Sequence, residues 1–242
     1  MSHTASSLTS DQFVQQVLAT RPAIAVFDCD GTLWSGDAGA DFFYWEMERG
    51  LIAPELVPAI KERYNGYLAG QVSELAICGE MIQINKGVPL ARLHEAAREF
   101  FDMVVRPRIF PELFKLTHQL VAQGCEVWAV SSTNNWLIEE AARVFGIPSN
   151  QVMAATLAVE NGIVTDRLLR VPTDELKQTA IEEVIKRPVD AVFGNSIHDF
   201  AMLEKAKRAY AVNPNPDLAA KATELGWTAY WPGQAQRPAK EA

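Results

Sequence analysis

Apolar residues recur along the chain in two rhythms, and where one replaces the other marks the elements. Phe13, Val14, Val17 and Leu18 stand at helical spacing and predict a helix over 11–19, with Ser10 a candidate cap and Arg21-Pro22 as its stop. A short continuous apolar run then predicts a strand over 23–28. Residues 38–105 have a different texture: amphipathic helical segments broken by Gly50, Pro54, Gly70 and Gly87-Val88-Pro89, with no strand expected. From Pro111 the rhythm alternates. A helix over 111–123 ends at Gly124, a strand over 125–130 ends in Ser131, and a helix over 135–145 ends at Gly146. Strands over 151–159 and 163–169 flank Glu160-Asn161-Gly162, a strong hairpin signal. A helix over 173–187, capped by Thr173 or Asp174, stops before Pro188. Strands over 189–193, 208–212 and 227–231 alternate with helices over 198–206 and 216–225, and 232–242 reads as a frayed tail.

This alternation predicts an α/β fold, a doubly wound parallel sheet with ligands at the carboxyl ends of its strands. The helical stretch between the first strand and Pro111 reads as an insertion. The expected division is a core of 1–36 and 106–242 with an all-helical cap of 37–105.

Composition narrows the function. The 242 residues are 48% hydrophobic and 21% charged, as in ordinary globular proteins. A net charge of −8 argues against nucleic acid as partner. Three scattered cysteines, Cys29, Cys78 and Cys125, lack paired spacing and fit a reducing cytoplasm. No apolar run reaches the roughly 18 residues of a membrane helix, and no basic residue precedes Arg21, so neither a membrane span nor a secretory signal is expected. Nothing in the composition sets an oligomeric state.

The candidate chemistry begins where the first strand ends. Asp28 and Asp30 follow Ile24-Ala-Val-Phe27, and buried carboxylates are costly unless paired or bound to a cation. A strand places Cys29, between them, on the opposite face, as an inert packing residue. If the strands ending near 28, 130 and 193 are neighbours, Asp28, Asp30, Ser131, Asn195 and Asp199 converge, and Lys177 enters from the preceding helix. Several of these residues also have plainer readings. Ser131 can be a helix N-cap, with Ser132 and Thr133 as alternative hydroxyls. Lys177 can be a solvated helix residue, Asn195 a turn residue, and His198 a bystander.

Taken in order, the motifs resemble those of haloacid dehalogenase-superfamily phosphatases of the phosphoserine phosphatase-like branch. Asp28-Cys29-Asp30-Gly31-Thr32 matches the first motif, Val130-Ser131 the second, Lys177 the third, and Phe193-Gly194-Asn195-Ser196-Ile197-His198-Asp199 the fourth. The resemblance covers roughly residues 22–232. It implies a Rossmannoid core with a helical cap, and hydrolysis of a small phosphorylated metabolite through an aspartyl-phosphate on Asp28. Asp30 would be the general acid and base. Gly31, Thr32, Ser131, Ser132 and Lys177 would bind the phosphoryl group. Asp28, Asp30, Asn195 and Asp199 would surround Mg²⁺, with Asp199 bound directly or standing behind a ligand. Trp34 and Asp37, near the aromatic run Phe42–Trp45, would shape substrate specificity, although cap-helix packing also explains Asp37. One departure stands out: Asn195 occupies a place where the family pattern has aspartate. It leaves open a phosphate-binding protein without turnover; a phosphotransferase or phosphomutase on the same chemistry is a separate alternative.

Overall fold

The computed structural model describes residues 8–233, so the expected tail beyond 233 lies outside the described residues. Seven strands form one sheet in the order β4-β3-β2-β1-β5-β6-β7. They are β1 (Ile24–Phe27), β2 (Glu126–Asn134), β3 (Val152–Glu160), β4 (Ile163–Arg170), β5 (Ala191–Gly194), β6 (Arg208–Val212) and β7 (Thr228–Tyr230). All neighbours run parallel except β3 and β4, the expected hairpin. Asn161 and Gly162 both adopt positive φ, +51° and +79°, as a tight hairpin turn requires.

β1 lies at the centre of the sheet and is buried on both faces. Ala25 and Phe27 enter the larger core, against α1 (Ser10–Ala19), α6 (Pro111–Ala122) and α7 (Asn135–Val144). Ile24 and Val26 enter the second core, against α8 (Glu175–Ile185), α9 (Phe200–Glu204) and α10 (Pro216–Leu225). A strand covered on both faces gains from a continuous apolar run, which is what residues 23–27 supply. Cys29 joins the larger core.

Local caps differ from expectation. Thr9, not Ser10, caps α1 through a reciprocal capping box with Gln12. Asn134, not Ser131, caps α7, so β2 runs four residues past its predicted end. Neither Thr173 nor Asp174 caps α8 through its side chain; both instead bond residues across the site.

Residues 38–100 form four helices, α2 (Ala38–Glu48), α3 (Val57–Leu68), α4 (Glu74–Gln83) and α5 (Leu90–Phe100). A small apolar cluster of Phe43, Ile60, Tyr64 and Ile77 ties α2, α3 and α4 together. Leu93, Ala96, Ala97 and Phe100 of α5, with Ala38 and Phe42 of α2, belong to the large core. The segment holds one strand-like contact that periodicity did not reveal. Gly87 N donates to Val164 O (2.8 Å), Val164 N to Val88 O (3.0 Å) and Leu90 N to Gly162 O (2.9 Å). Main chain from the helical segment thus covers the outer edge of β4, a place where unpaired strand groups invite aggregation. Among the described residues no helix is long and apolar enough to cross a membrane.

Candidate active site

The parallel strands point their carboxyl ends at one cavity of about 730 Å³, roofed by α2, α3 and α4. Its floor is built at the end of β1. Asp28 N donates to Phe193 O (2.9 Å), which carries the β1–β5 ladder one residue further and fixes the Asp28 backbone. Its carboxylate accepts from Lys177 Nζ on Oδ1 (2.8 Å) and from Thr32 Oγ on Oδ2 (2.8 Å). Lys177 also reaches Asp199 Oδ1 (2.5 Å). The lysine is 3% exposed and Asp199 fully buried, so Lys177 is no solvated helix residue. Burial, then the nearby Asp199, pushes the Asp28 carboxyl above the ordinary carboxylate range, while Lys177 pulls it back. Burial works against the charged lysine, yet Asp199 and Asp28 together hold its ammonium form firmly.

Asp199 has no free oxygen. Its Oδ2 accepts from the backbone N–H groups of Asn195 (2.8 Å) and Ser196 (3.0 Å). Gly194 permits this tight turn, because a Cβ there would come within 2.6 Å of the Asp199 side chain. Gly31 is required on the other side: it sits at φ +75°, and a Cβ would lie 1.8 Å from Asn195 Nδ2. The Asn195 side chain therefore lies directly over the Asp28–Asp30 loop.

Asp30 is held on both oxygens. Oδ1 accepts from Trp34 Nε1 (2.8 Å) and Ala38 N (2.6 Å), and Oδ2 accepts from Thr133 Oγ (2.8 Å). Burial raises its carboxyl above the ordinary range, opposed by the Ala38, Trp34 and Thr133 donors.

Of the sequence-predicted residues, Asp28, Asp30, Gly31, Asp37, Ser132, Lys177 and Asn195 line the cavity. Four others stand behind its wall. Thr32 is fully buried with its hydroxyl on Asp28. Ser131 is buried and accepts from Thr133 N (3.1 Å), while Ser132 and Thr133 line the cavity, the Thr133 hydroxyl on Asp30. Asp199 acts on Lys177. Trp34 is 1% exposed and bonds Asp30, a positioning place rather than a substrate contact. Asp37 faces the cavity and also caps α2, accepting from Ala40 N (2.8 Å).

Sequence reasoning missed several wall residues. His198, taken as a bystander, bonds Asp174 and Glu74, both at 2.7 Å. Glu74 also accepts from Thr173 Oγ (2.6 Å), so α4 is fastened to the loops around α8 and β5. Arg108 lines the cavity, paired with Asp41 (2.5 Å). Glu46 lines it as well, and is 2% exposed. Its signal was available: it stands three residues after Phe43, on the buried face of α2.

Known proteins resemble this chain over most of its length. A histidinol-phosphatase from Neisseria meningitidis is 26% identical over 219 residues, 84% of this chain and 96% of its own. A phosphoserine phosphatase from Mycobacterium tuberculosis is 25% identical over 222 residues, 85% of this chain and 69% of its own. A solved structure of a protein of unknown function from Bordetella pertussis Tohama I shares the fold, with a TM-score of 0.74 at 21% identity over 86% of this chain and 97% of that one. The haloacid dehalogenase-like hydrolase family profile matches residues 25–204, from the middle of β1 to the end of α9. The chain therefore belongs to the haloacid dehalogenase-like hydrolases, as a phosphoric monoester hydrolase.

Proposed function

We propose that this hydrolase is a Mg²⁺-dependent phosphatase that cleaves a small phosphorylated metabolite through an aspartyl-phosphate on Asp28. The observation that carries the reading is the pairing of two unlike carboxyls on one cavity floor. Asp28 is oriented by Lys177 and Thr32, and Asp30 is clamped by three donors two residues on.

The two residues divide the chemistry. An Asp28 oxygen attacks phosphorus as the ester P–O bond breaks, which splits one hard displacement into two. Asp30 gives its proton to the departing alkoxide; burial raises its carboxyl in the direction that task needs. Asp30 then takes a proton from water, whose oxygen attacks the aspartyl-phosphate, releasing inorganic phosphate and restoring Asp28. Lys177 balances the charge on Asp28 and the phosphoryl oxygens throughout. Ser132 offers its hydroxyl to those oxygens, while Thr133 keeps its own on Asp30 and Ser131 holds the loop.

The donor set also fits a hard cation. Among the described residues no three His, Cys, Asp or Glu side chains gather into a metal cage. Magnesium does not need one, since it is usually bound by one or two carboxylates plus water and substrate phosphate. Asp28, the Asn195 side-chain carbonyl and the main-chain carbonyl of Asp30 would hold it, and Asp199 would brace the Asn195 turn from behind. Mg²⁺ there would neutralise charge on the transferring phosphoryl group. With asparagine at 195 the site has one negative charge fewer than the family pattern, so weaker metal affinity is expected.

Turnover of a generic aryl phosphate tests the reading. Hydrolysis should require Mg²⁺, stop with a chelator, and vanish in Asp28→Asn. Turnover retained in Asp28→Asn would overturn the role of that residue. An inert parent made active by Asn195→Asp would favour the phosphate-binding alternative.

A further inference from the structure

Both halves of the proposed cation site are tied to one short loop that none of the chemistry above uses. The loop follows β6, the neighbour of β5 in the sheet, and runs Asn213-Pro214-Asn215 into α10. Asn213 lines the cavity, and its side-chain Nδ2 donates to Gly31 O (3.2 Å). Two residues on, Asn215 N donates to Asn195 O (2.8 Å). One tie reaches the loop that carries Asp28 and Asp30, and the other reaches the turn that carries Asn195.

The loop is itself well anchored. Asn213 N donates to Tyr230 O (2.6 Å), at the end of the neighbouring β7. Asn215 Oδ1 accepts from Leu218 N (2.9 Å) and caps α10. Asn213 adopts φ +48°, a left-handed conformation that asparagine tolerates better than most residues. Glycine would meet that backbone requirement equally well. What asparagine adds at 213 is the amide, and the amide is bonded to Gly31.

Gly31 is where such a tie has consequences. It sits at φ +75° and has no side chain to fix it, so it is the most permissive joint of its loop. It directly follows Asp30, whose main-chain carbonyl stands beside Mg²⁺ in the reading above. Left free, that joint would let the Asp30 carbonyl swing. A bond to the carbonyl of Gly31 holds the joint from its far side. Groups that orient metal ligands from behind are typically worth 10- to 100-fold in metal affinity.

We propose that Asn213 is a positioning residue for the cation, acting through Gly31 to hold the Asp30 carbonyl in place. This rests on the Mg²⁺-dependent phosphatase reading and adds to that site a residue from the end of β6.

Asn213→Gly keeps the left-handed backbone accessible and removes only the amide. Calorimetric titration with Mg²⁺ should show about tenfold weaker binding than in the parent, the low end of the usual range because the amide acts through a neighbour. With an aryl phosphate as substrate, the half-saturating Mg²⁺ concentration should rise by a similar factor. The aryl phosphate KM at saturating Mg²⁺ should stay near the parental value. Ile185→Ala makes a cavity in the core that β6 shares and leaves the loop untouched, so it should lower stability without changing Mg²⁺ affinity. Equal Mg²⁺ affinity in Asn213→Gly and the parent would overturn the proposal. An equal loss in Ile185→Ala would do so too, because Asn213 would then act through stability alone, as would failure of Asn213→Gly to fold. A parent that takes up no Mg²⁺ overturns the proposal together with the cation site. Mg²⁺ uptake without aryl phosphate hydrolysis would instead overturn the phosphatase reading alone.

Discussion

The two ends of the cavity are built on opposite principles. At the floor every buried charge has its partner before substrate arrives: Asp28, Lys177 and Asp199 form a closed triad, and Asp30 has three donors. Under the roof, the equally buried Glu46 carboxyl has only the Asn85 side chain against it. A chemical step gains from groups fixed in advance, because no reorganisation is then needed as charge develops. A sparsely bonded carboxyl instead keeps its proton, because burial disfavours the charged form.

The largest way to break this contrast is to open the triad. Lys177→Met leaves two buried carboxylates facing each other, and removing one partner of such a pair costs about 3–5 kcal/mol. Urea unfolding at neutral pH should show that loss, together with loss of phosphatase activity. A variant of parental stability would mean the floor is not held by charge.

Loosening Asp30 should affect rate and not folding. Trp34→Phe removes one charge-assisted donor, and kcat should fall about 10- to 100-fold with KM nearly unchanged. Steady-state kinetics decide this. A change confined to KM would return Trp34 to substrate recognition.

The roof should show itself in the pH dependence of stability. The folded pKa of Glu46 lies well above its unfolded 4.5. Above that unfolded value the native state keeps a proton that the unfolded chain has lost. Stability therefore falls as pH rises, by up to about 1.4 kcal/mol per pH unit, until Glu46 ionises in the fold as well. Chemical denaturation across pH 4–8 should find this slope in the parent and a flatter profile in Glu46→Gln. Equal slopes would mean Glu46 finds a partner in solution.

The smallest effect concerns the clasp between roof and floor. The Glu74 hydrogen bond, and Asp174 after it, lift the His198 imidazole to about 9 against the effect of burial. The resulting stabilisation is complete below the ordinary 6.5 and is lost as pH rises through 9. In Glu74→Gln the His198 pKa should drop, as followed by NMR titration, and KM should rise a few-fold. An unmoved imidazole would show that Asp174 alone sets it.

The same contrast separates what could be read early from what could not. The succession of strands and helices, the hairpin and the convergence of Asp28, Asp30, Lys177 and Asn195 were legible because short-range periodicity sets the elements, and parallel topology sends strand ends to one edge. Element caps were less legible, since Thr9 and Ser10, or Ser131 and Asn134, offer the same chemistry one to three positions apart. The packing of α5 against the main core was not legible, because an amphipathic helix reads alike whether it faces a cap or the core. Trp34 and Ser131 stand behind the groups they were expected to join, and Asp199 takes the second of the two places open to it, behind the Asn195 turn. Sequence spacing says which residues approach the site and not which atoms face the cavity.

The sequence by itself therefore determined the family, the fold and the acids of the floor, all of which follow from local pattern and contiguous motifs. Only the tertiary structure decided which partners those acids keep. It closed the triad across 149 residues between Asp28 and Lys177, and it fastened Glu74 to His198. It also set Glu46 under the roof with only Asn85 against it. Whether a buried polar group is satisfied depends on neighbours brought together from distant parts of the chain, and no local pattern records that.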